Sequence, residues 1–371
     1  MKKIFILVIV VSICNLFTFC DKKKINEEIV TLKISDNNFQ HKIKFSELIK
    51  DYKFIPLETN KENIFGKIDK ILFNKNQIYI LDHLKAKAIF VFSLEGNYLW
   101  KISKFGRGPG EYLELLDFCF EPKTDNLVLS NIKDLIFYDS KGVYIKTIKL
   151  PFSAYKIEYS DDNHVACVNG GIGDFLLIID TNGNESSSYF NYTKETRLIL
   201  QSPLIRNDKS DLLYVPNLDY TIYKVNGDKI SPYVKFDFSK DMYSPQDLKL
   251  LKDKKSNINN FYHIMGFFEG PINIFLPYFY KKNLYYFVYN KETKVSKLIN
   301  ANEIDNDITY GKSIPYVLAS AFDDYFYSII EPSELLKSKV EKNDSIDPKL
   351  AKIIHNARSD DNPILFLFKF K

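Results

Sequence analysis

The chain has 371 residues, 51 of them basic and 47 acidic, for a formal net charge of +4. That balance describes a mixed surface and excludes the basic field that a nucleic-acid binder needs; 14 Gly and 14 Pro leave no room for long flexible linkers. Thirty Phe and 25 Tyr within a hydrophobic content of 45% point to an all-β protein, since flat and branched side chains fit a pleated, half-buried surface.

The chain opens on Met1-Lys2-Lys3, then an almost wholly apolar run over residues 4–19, then Cys20 and the polar Asp21-Lys22-Lys23-Lys24. This is a targeting segment and stands outside the fold. The apolar run falls just short of the roughly 17–25 residues of a membrane-spanning helix. An apolar run that ends in Cys before a hydrophilic tether resembles a bacterial lipoprotein signal, with Cys20 as the lipidated residue. Phe19 stands where such signals carry a small residue, so ordinary secretion and an uncleaved anchor stay open. The expected division is residues 1–20 as signal, 21–51 as tether and N-terminal segment, and 52–371 as the folded domain. The expected location is the cell envelope, as an outer-membrane lipoprotein.

From residue 66 onward a strand–turn–strand unit recurs. Its turn glycines Gly96, Gly142, Gly183 and Gly227 are spaced by 46, 41 and 44 residues. A period of about 40–45 residues with four short strands per unit marks a β-propeller blade. Alternation and turn signals give blade one over residues 66–103, blade two over 113–148, blade three over 153–190 and blade four over 198–238. Ser244-Pro245-Gln246-Asp247 then reads as a capped helix start. Blade five follows with strands at 272–276, 284–289 and 294–298. Blade six has strands at 315–320, 325–330 and 364–370, interrupted by helices at 333–340 and 347–356. Residues 52–57 are left over and blade six lacks one strand, so this segment is predicted to close a six-bladed ring from the outer edge. Pro56 agrees, because proline is tolerated on an edge strand, and closure removes an edge open to pairing.

Phe54-Ile55-Pro56-Leu57-Glu58-Thr59, Phe105-Gly106-Arg107-Gly108-Pro109-Gly110-Glu111-Tyr112, Ile330-Glu331-Pro332-Ser333-Glu334-Leu335-Leu336 and Asp361-Asn362-Pro363-Ile364-Leu365 resemble the six-bladed β-propeller lipoproteins of Bacteroidetes-type bacteria, relatives of the NHL-repeat propellers. The resemblance implies the fold and an exported, lipid-anchored protein. It implies no reaction, because the fold hosts many functions.

In a propeller, ligands meet the channel mouth, lined by the loops between blades and those between second and third strands. Residues 106–111 join blades one and two there. Three glycines and Pro109 make a tight loop able to aim backbone N–H groups at an anion. Arg107 is the candidate ligand contact, with Glu111 beside it; the alternative is that the two pair with each other. His83 and Lys85, in a neighbouring blade-one loop, join the candidate site, and Asp174 follows the glycine-rich Asn169-Gly170-Gly171-Ile172-Gly173 on the same mouth. That loop precedes a strand, whereas a phosphate loop needs a helix N-terminus. The five histidines lack metal-ligand spacing, Asp305-Asn306-Asp307 has Tyr310 where a calcium loop requires Gly, and no Gly-x-Ser-x-Gly elbow occurs. Cys119 and Cys167, placed on inner strands of neighbouring blades, are expected as buried thiols. The expected function is non-catalytic binding or scaffolding at the mouth by a monomer. The partner would be a peptide, a glycan or a protein, with no cofactor, metal or nucleic acid; the alternative is an NHL-like lyase or hydrolase with a metal in the channel.

Overall fold

Asp139, after the third strand of blade two, accepts the amides of Lys141 and Val143 at 2.9 Å each, while the Gly142 amide returns to the Asp139 carbonyl at 3.0 Å. Blade three repeats the device: Asp180 accepts from Asn182 and Asn184, and Gly183 bonds back to its carbonyl. An acceptor side chain that mimics the turn's own hydrogen bonding fixes the reversal locally. Strands form on either side of each such turn. The computed structural model describes residues 29–35, 39–169, 173–192, 203–216, 219–243, 247, 250, 261–309, 319–320, 325–341 and 347–371.

Six antiparallel blades result. Blade one is Lys70–Asn74, Gln77–Asp82, Ala88–Ser93 and Tyr98–Ile102, and blade two is Asp117–Phe120, Leu127–Asn131, Asp134–Tyr138 and Tyr144–Lys149. Blade three is Ala154–Tyr159, His164–Asn169, Gly173–Asp180 and Glu185–Tyr192, and blade four is Leu204–Arg206, Leu212–Tyr214, Thr221–Asn226 and Lys229–Asp237. Blade five has a fourth strand that sequence patterning does not show. Its inner strand is broken into His263–Ile264 and Phe268–Glu269, both paired to Asn273–Tyr280, followed by Asn283–Asn290 and Ser296–Asn300. Two-residue pieces are too short to carry an alternation signal. The capped segment expected at 244–251 lies mostly outside the described residues, as does most of the expected strand at 315–320.

Blade six is completed from the other end of the chain. Ala319–Ser320, Phe326–Ile330 and Ile364–Phe370 are joined by the strand Ile49–Pro56, in register from Ile364 opposite Pro56 to Phe370 opposite Ile49. The predicted closure holds, with a strand that begins three residues earlier than expected and ends at Pro56. Gly96, at φ +90°, makes this seam possible, since a Cβ there would meet the Pro56 carbonyl oxygen at 2.2 Å. Its own carbonyl accepts the Glu58 amide at 2.8 Å.

Six apolar clusters glue the blades in cyclic order. Cys119, Phe137 and Ile157 share the one between blades two and three, and Ile55, Ile80 and Leu367 share the one between six and one. Cys119 and Cys167 are free and buried; Cys167 sits on the second strand of its blade rather than the innermost. Burial raises both thiols, which makes them packing groups rather than nucleophiles.

The N-terminal segment does more than lead in. Val30–Lys33 adds a parallel strand outside Lys229–Asp237 of blade four, and Phe39–Gln40 does the same outside Ser296–Asn300 of blade five. Ile43–Lys44 pairs with Ile304–Asp305, and a short helix, Phe45–Leu48, leads into the closing strand. The chain thus straps three successive blades. Blade six also carries the two expected helices, Pro332–Glu341 and Pro348–Asn356, the second capped by Asp347, which accepts the Lys349 and Leu350 amides.

Candidate mouth and channel rim

Strand direction alternates within a blade, so loops between blades and loops between second and third strands share one face. Residues 57–69, 83–87, 103–116 and 132–133 therefore gather on the mouth face of blades one and two. Buried Tyr112 ties the second and third of these segments together. Its hydroxyl donates to the Lys87 carbonyl at 2.8 Å and accepts from the Lys104 amide at 3.2 Å, and burial pushes its pKa up to about 12. Asp82, fully buried, braces the same frame by accepting the amides of Lys85 and Gly66.

The structure separates the candidate residues by role. Glu111 folds back on its own loop: its carboxylate accepts the Gly108 amide at 2.7 Å, and a Cβ on Gly106 would strike that carboxylate at 2.0 Å. Arg107 stands exposed at the tip of this braced loop, and no described residue makes an ion pair with it. His83 is half-buried. Its amide donates to Asp69 and its Nδ1 to the Leu115 carbonyl, both at 2.9 Å, which splices blade one to the approach of blade two. Lys85 is exposed, its stem lying over Gly66. Asp174 sits near the mouth end of Gly173–Asp180, opposite Asn191, two blades further round.

Sequence reading missed the apolar side of this face. Ile64, Leu84, Phe105 and Ile132 expose 56%, 62%, 63% and 41% of their surface, one from each mouth loop. Ile132 also holds φ +54°, a conformation costly for a β-branched residue, of order 1–3 kcal/mol. A lone apolar residue in each of four loops leaves no periodic trace; only the ring topology gathers them. A groove of about 370 Å³ borders the same face, between helix Pro348–Asn356 and the end of the closing strand, lined by Leu57, Lys352, Ile353 and Asn356 among others.

The inner rim was missed too. Lys70 reaches Asp117 at 3.0 Å and donates to the Phe118 carbonyl at 2.7 Å; Asp117 accepts the Ile157 amide at 2.9 Å. Arg206 pairs with Glu158 at 3.1 Å and donates to the Tyr159 carbonyl at 2.6 Å. Each side chain covers a backbone group on the inner edge of a neighbouring blade, where a sheet otherwise leaves its edge unpaired. Burial alone would lower the Lys70 ammonium, but Asp117 and then Glu158 outweigh it and hold it above its ordinary range. Lys156, 3.9 Å from the same carboxylate, goes the other way, lowered first by burial and also by Lys70, with Asp117 opposing. The sequence signal was available as charge at positions 70, 117, 156, 158 and 206 inside strands.

Among the described residues no three His, Cys, Asp or Glu side chains gather as a metal site requires. The rim carboxylates Asp117 and Glu158 are already engaged by cations, a donor set that does not fit a resident metal.

The domain of unknown function DUF4934 matches residues 29–369. The chain belongs to the DUF4934 family. A solved Bacteroides fragilis protein described as exported is 20% identical over 92% of this chain and 99% of its own, with a TM-score of 0.78. At that identity the likeness carries the fold. BamB from Moraxella catarrhalis is a more distant structural match, 10% identical over 87% of this chain and all of its own, at a TM-score of 0.44. No curated protein matches. Among the described residues of this DUF4934 member, no helix is long and apolar enough to cross a membrane.

Proposed function

We propose that this protein is an exported, lipid-anchored propeller that binds a partner, without catalysis, through the mouth loops of blades one and two. The observation that carries the reading is Arg107: a guanidinium with no ion-pair partner among the described residues, held out by a loop whose own acid, Glu111, is consumed in bracing it. A charged group on a rigid frame binds without the entropy cost of being ordered first. Lys85 extends the cationic surface, while His83 supports the frame. Asp174 would widen the site toward blade three. The anchor reading rests on Cys20 closing the apolar run, and the export reading on the same N-terminal segment. Among the described rim residues the lyase or hydrolase reading finds no donor set to support it, since Asp117 and Glu158 are engaged by Lys70 and Arg206.

A photocrosslinker at Leu84, irradiated in cells that make the protein, is expected to trap a partner, and Arg107→Ala to weaken that association by about 1–3 kcal/mol with melting unchanged. Equal trapping would remove Arg107 from the site, and a collapse in melting would make it a structural residue. Cys20→Ala should move the protein from membranes to the soluble envelope fraction; retention with an intact leader by mass spectrometry would show an uncleaved anchor instead.

A further inference from the structure

Four exposed apolar side chains and four cations share the mouth of blades one and two. The apolar four are Ile64, Leu84, Phe105 and Ile132. The cations are Lys85, Lys104, Arg107 and Lys133, none with an ion-pair partner among the described residues. Most acids of the same face are engaged. Glu111 braces its loop, Glu58 accepts the Tyr98 amide at 2.8 Å, Glu114 pairs with Lys87 at 3.2 Å, Asp69 with Lys67 at 2.9 Å, and Asp134 with Lys149 at 2.9 Å, while Glu62 stays exposed, 3.9 Å from Lys101. The patch therefore carries an excess of unpaired cations and lacks both the negative charge to balance them and apolar cover. Two kinds of partner supply both: an anionic lipid surface or a protein segment that interleaves carboxylates with apolar side chains.

The N-terminal strap distinguishes them. Val30–Lys33 runs parallel to Lys229–Asp237, so the chain enters blade four from the end of its Asn226–Gly227 turn, the face opposite the mouth. Blade four also stands across the six-membered ring from blade one. Nine residues separate Cys20 from Val30, a reach of about 30 Å when extended. An anchor at Cys20 would thus pull on the far side of the ring and from the far face, and laying the patch on the same membrane would require the tether to double back. The groove beside Leu57 and Ile353, on blade six, is a concavity suited to an extended segment.

We propose that the mouth patch receives an acidic, apolar-bearing segment of a partner protein, presented on the side facing away from the anchoring membrane. This rests on the binding and anchoring readings above and narrows them. The test uses the purified lipidated protein and three probes: a fluorescent heptapeptide alternating Glu with Phe, its counterpart with Lys for Glu, and vesicles containing phosphatidylglycerol. Their binding is measured for the parent chain and for Leu84→Asp and Lys85→Glu. The acidic peptide should bind, weaken about tenfold or more in either variant and weaken with salt, as rim charges do, while the basic peptide does not bind. Equal binding of both peptides, or none of the acidic one, would overturn the proposal. So would binding of protein whose anchor is removed to vesicles alone, which assigns the patch to lipid. If the Leu84 crosslinker traps a glycan, or a protein segment without acids, the binding reading stands and only this proposal falls.

Discussion

Blade one holds charge in two different ways. At its inner edge, Lys70 lies against a carboxylate, a backbone carbonyl and an aromatic ring, with Asp117 almost fully buried beneath it. At its mouth, Lys85 and Arg107 rise into solvent from loops braced by their own acids, Glu111 and the buried Asp82. One region lies on a strand and the other on the loops that follow strands of the same sheet, and both bring cations to a blade edge. The inner edge must hide unpaired backbone, so its charges are committed to the fold. The mouth has no such need, and Lys85 and Arg107 make no ion pair among the described residues. The proposed binding face rests on that mismatch between cations that hold the loops and cations that do nothing for them.

Each side of that contrast can be broken separately. The largest effect is expected from Lys70→Met, which leaves the buried Asp117 with Lys156, 3.9 Å away, as its remaining cation among the described residues and should cost about 3–5 kcal/mol in chemical denaturation. A loss under 1 kcal/mol would mean that the rim charges are as dispensable as surface ones. Ile132→Gly should act in the opposite direction, gaining about 1 kcal/mol by relieving its positive φ while losing partner binding with the lost side chain. If both stability and binding fall, the Ile132 conformation serves packing. Lys156→Met should have the smallest effect, a gain of under about 1 kcal/mol at neutral pH. Because the folded state depresses the Lys156 pKa, its protonated form is penalised on folding. The gain should therefore be full below the folded pKa and fade as pH rises toward about 10.4, the ordinary lysine value. A gain that grows with pH would reverse the assigned cause.

The ring was legible because its turns repeat the same chemistry: Asp139 and Asp180 with their glycines recur at the period of the blade, and a leftover 52–57 segment matched a missing strand. The inner strand of blade five was not, since His263–Ile264 and Phe268–Glu269 are too short to alternate. Nor was the strap, because Val30–Lys33 and Phe39–Gln40 are recognisable only through the outer strands they join. At the site, the glycine-rich loop around Arg107 was visible as a local motif. The role of His83 was not, since its partner Leu115 is 32 residues away, and the four apolar residues of the mouth come to one face only once the ring exists.

The seam in blade six sets an order of events during synthesis. Pro56 leaves the ribosome among the first residues and waits for Ile364, and Asn362 donates to the Glu58 and Asn63 carbonyls across some 300 positions. Until Ile364–Phe370 is made, the closing strand Ile49–Pro56 has no sheet partner and the ring no closure, so the nascent chain carries open sheet edges until then. Such long-range pairing slows folding and leaves intermediates prone to association. Loss of even the seven-residue strand Ile364–Phe370 would leave Ile49–Pro56 unpaired and the ring open, which makes this strand the checkpoint for closure of the whole propeller.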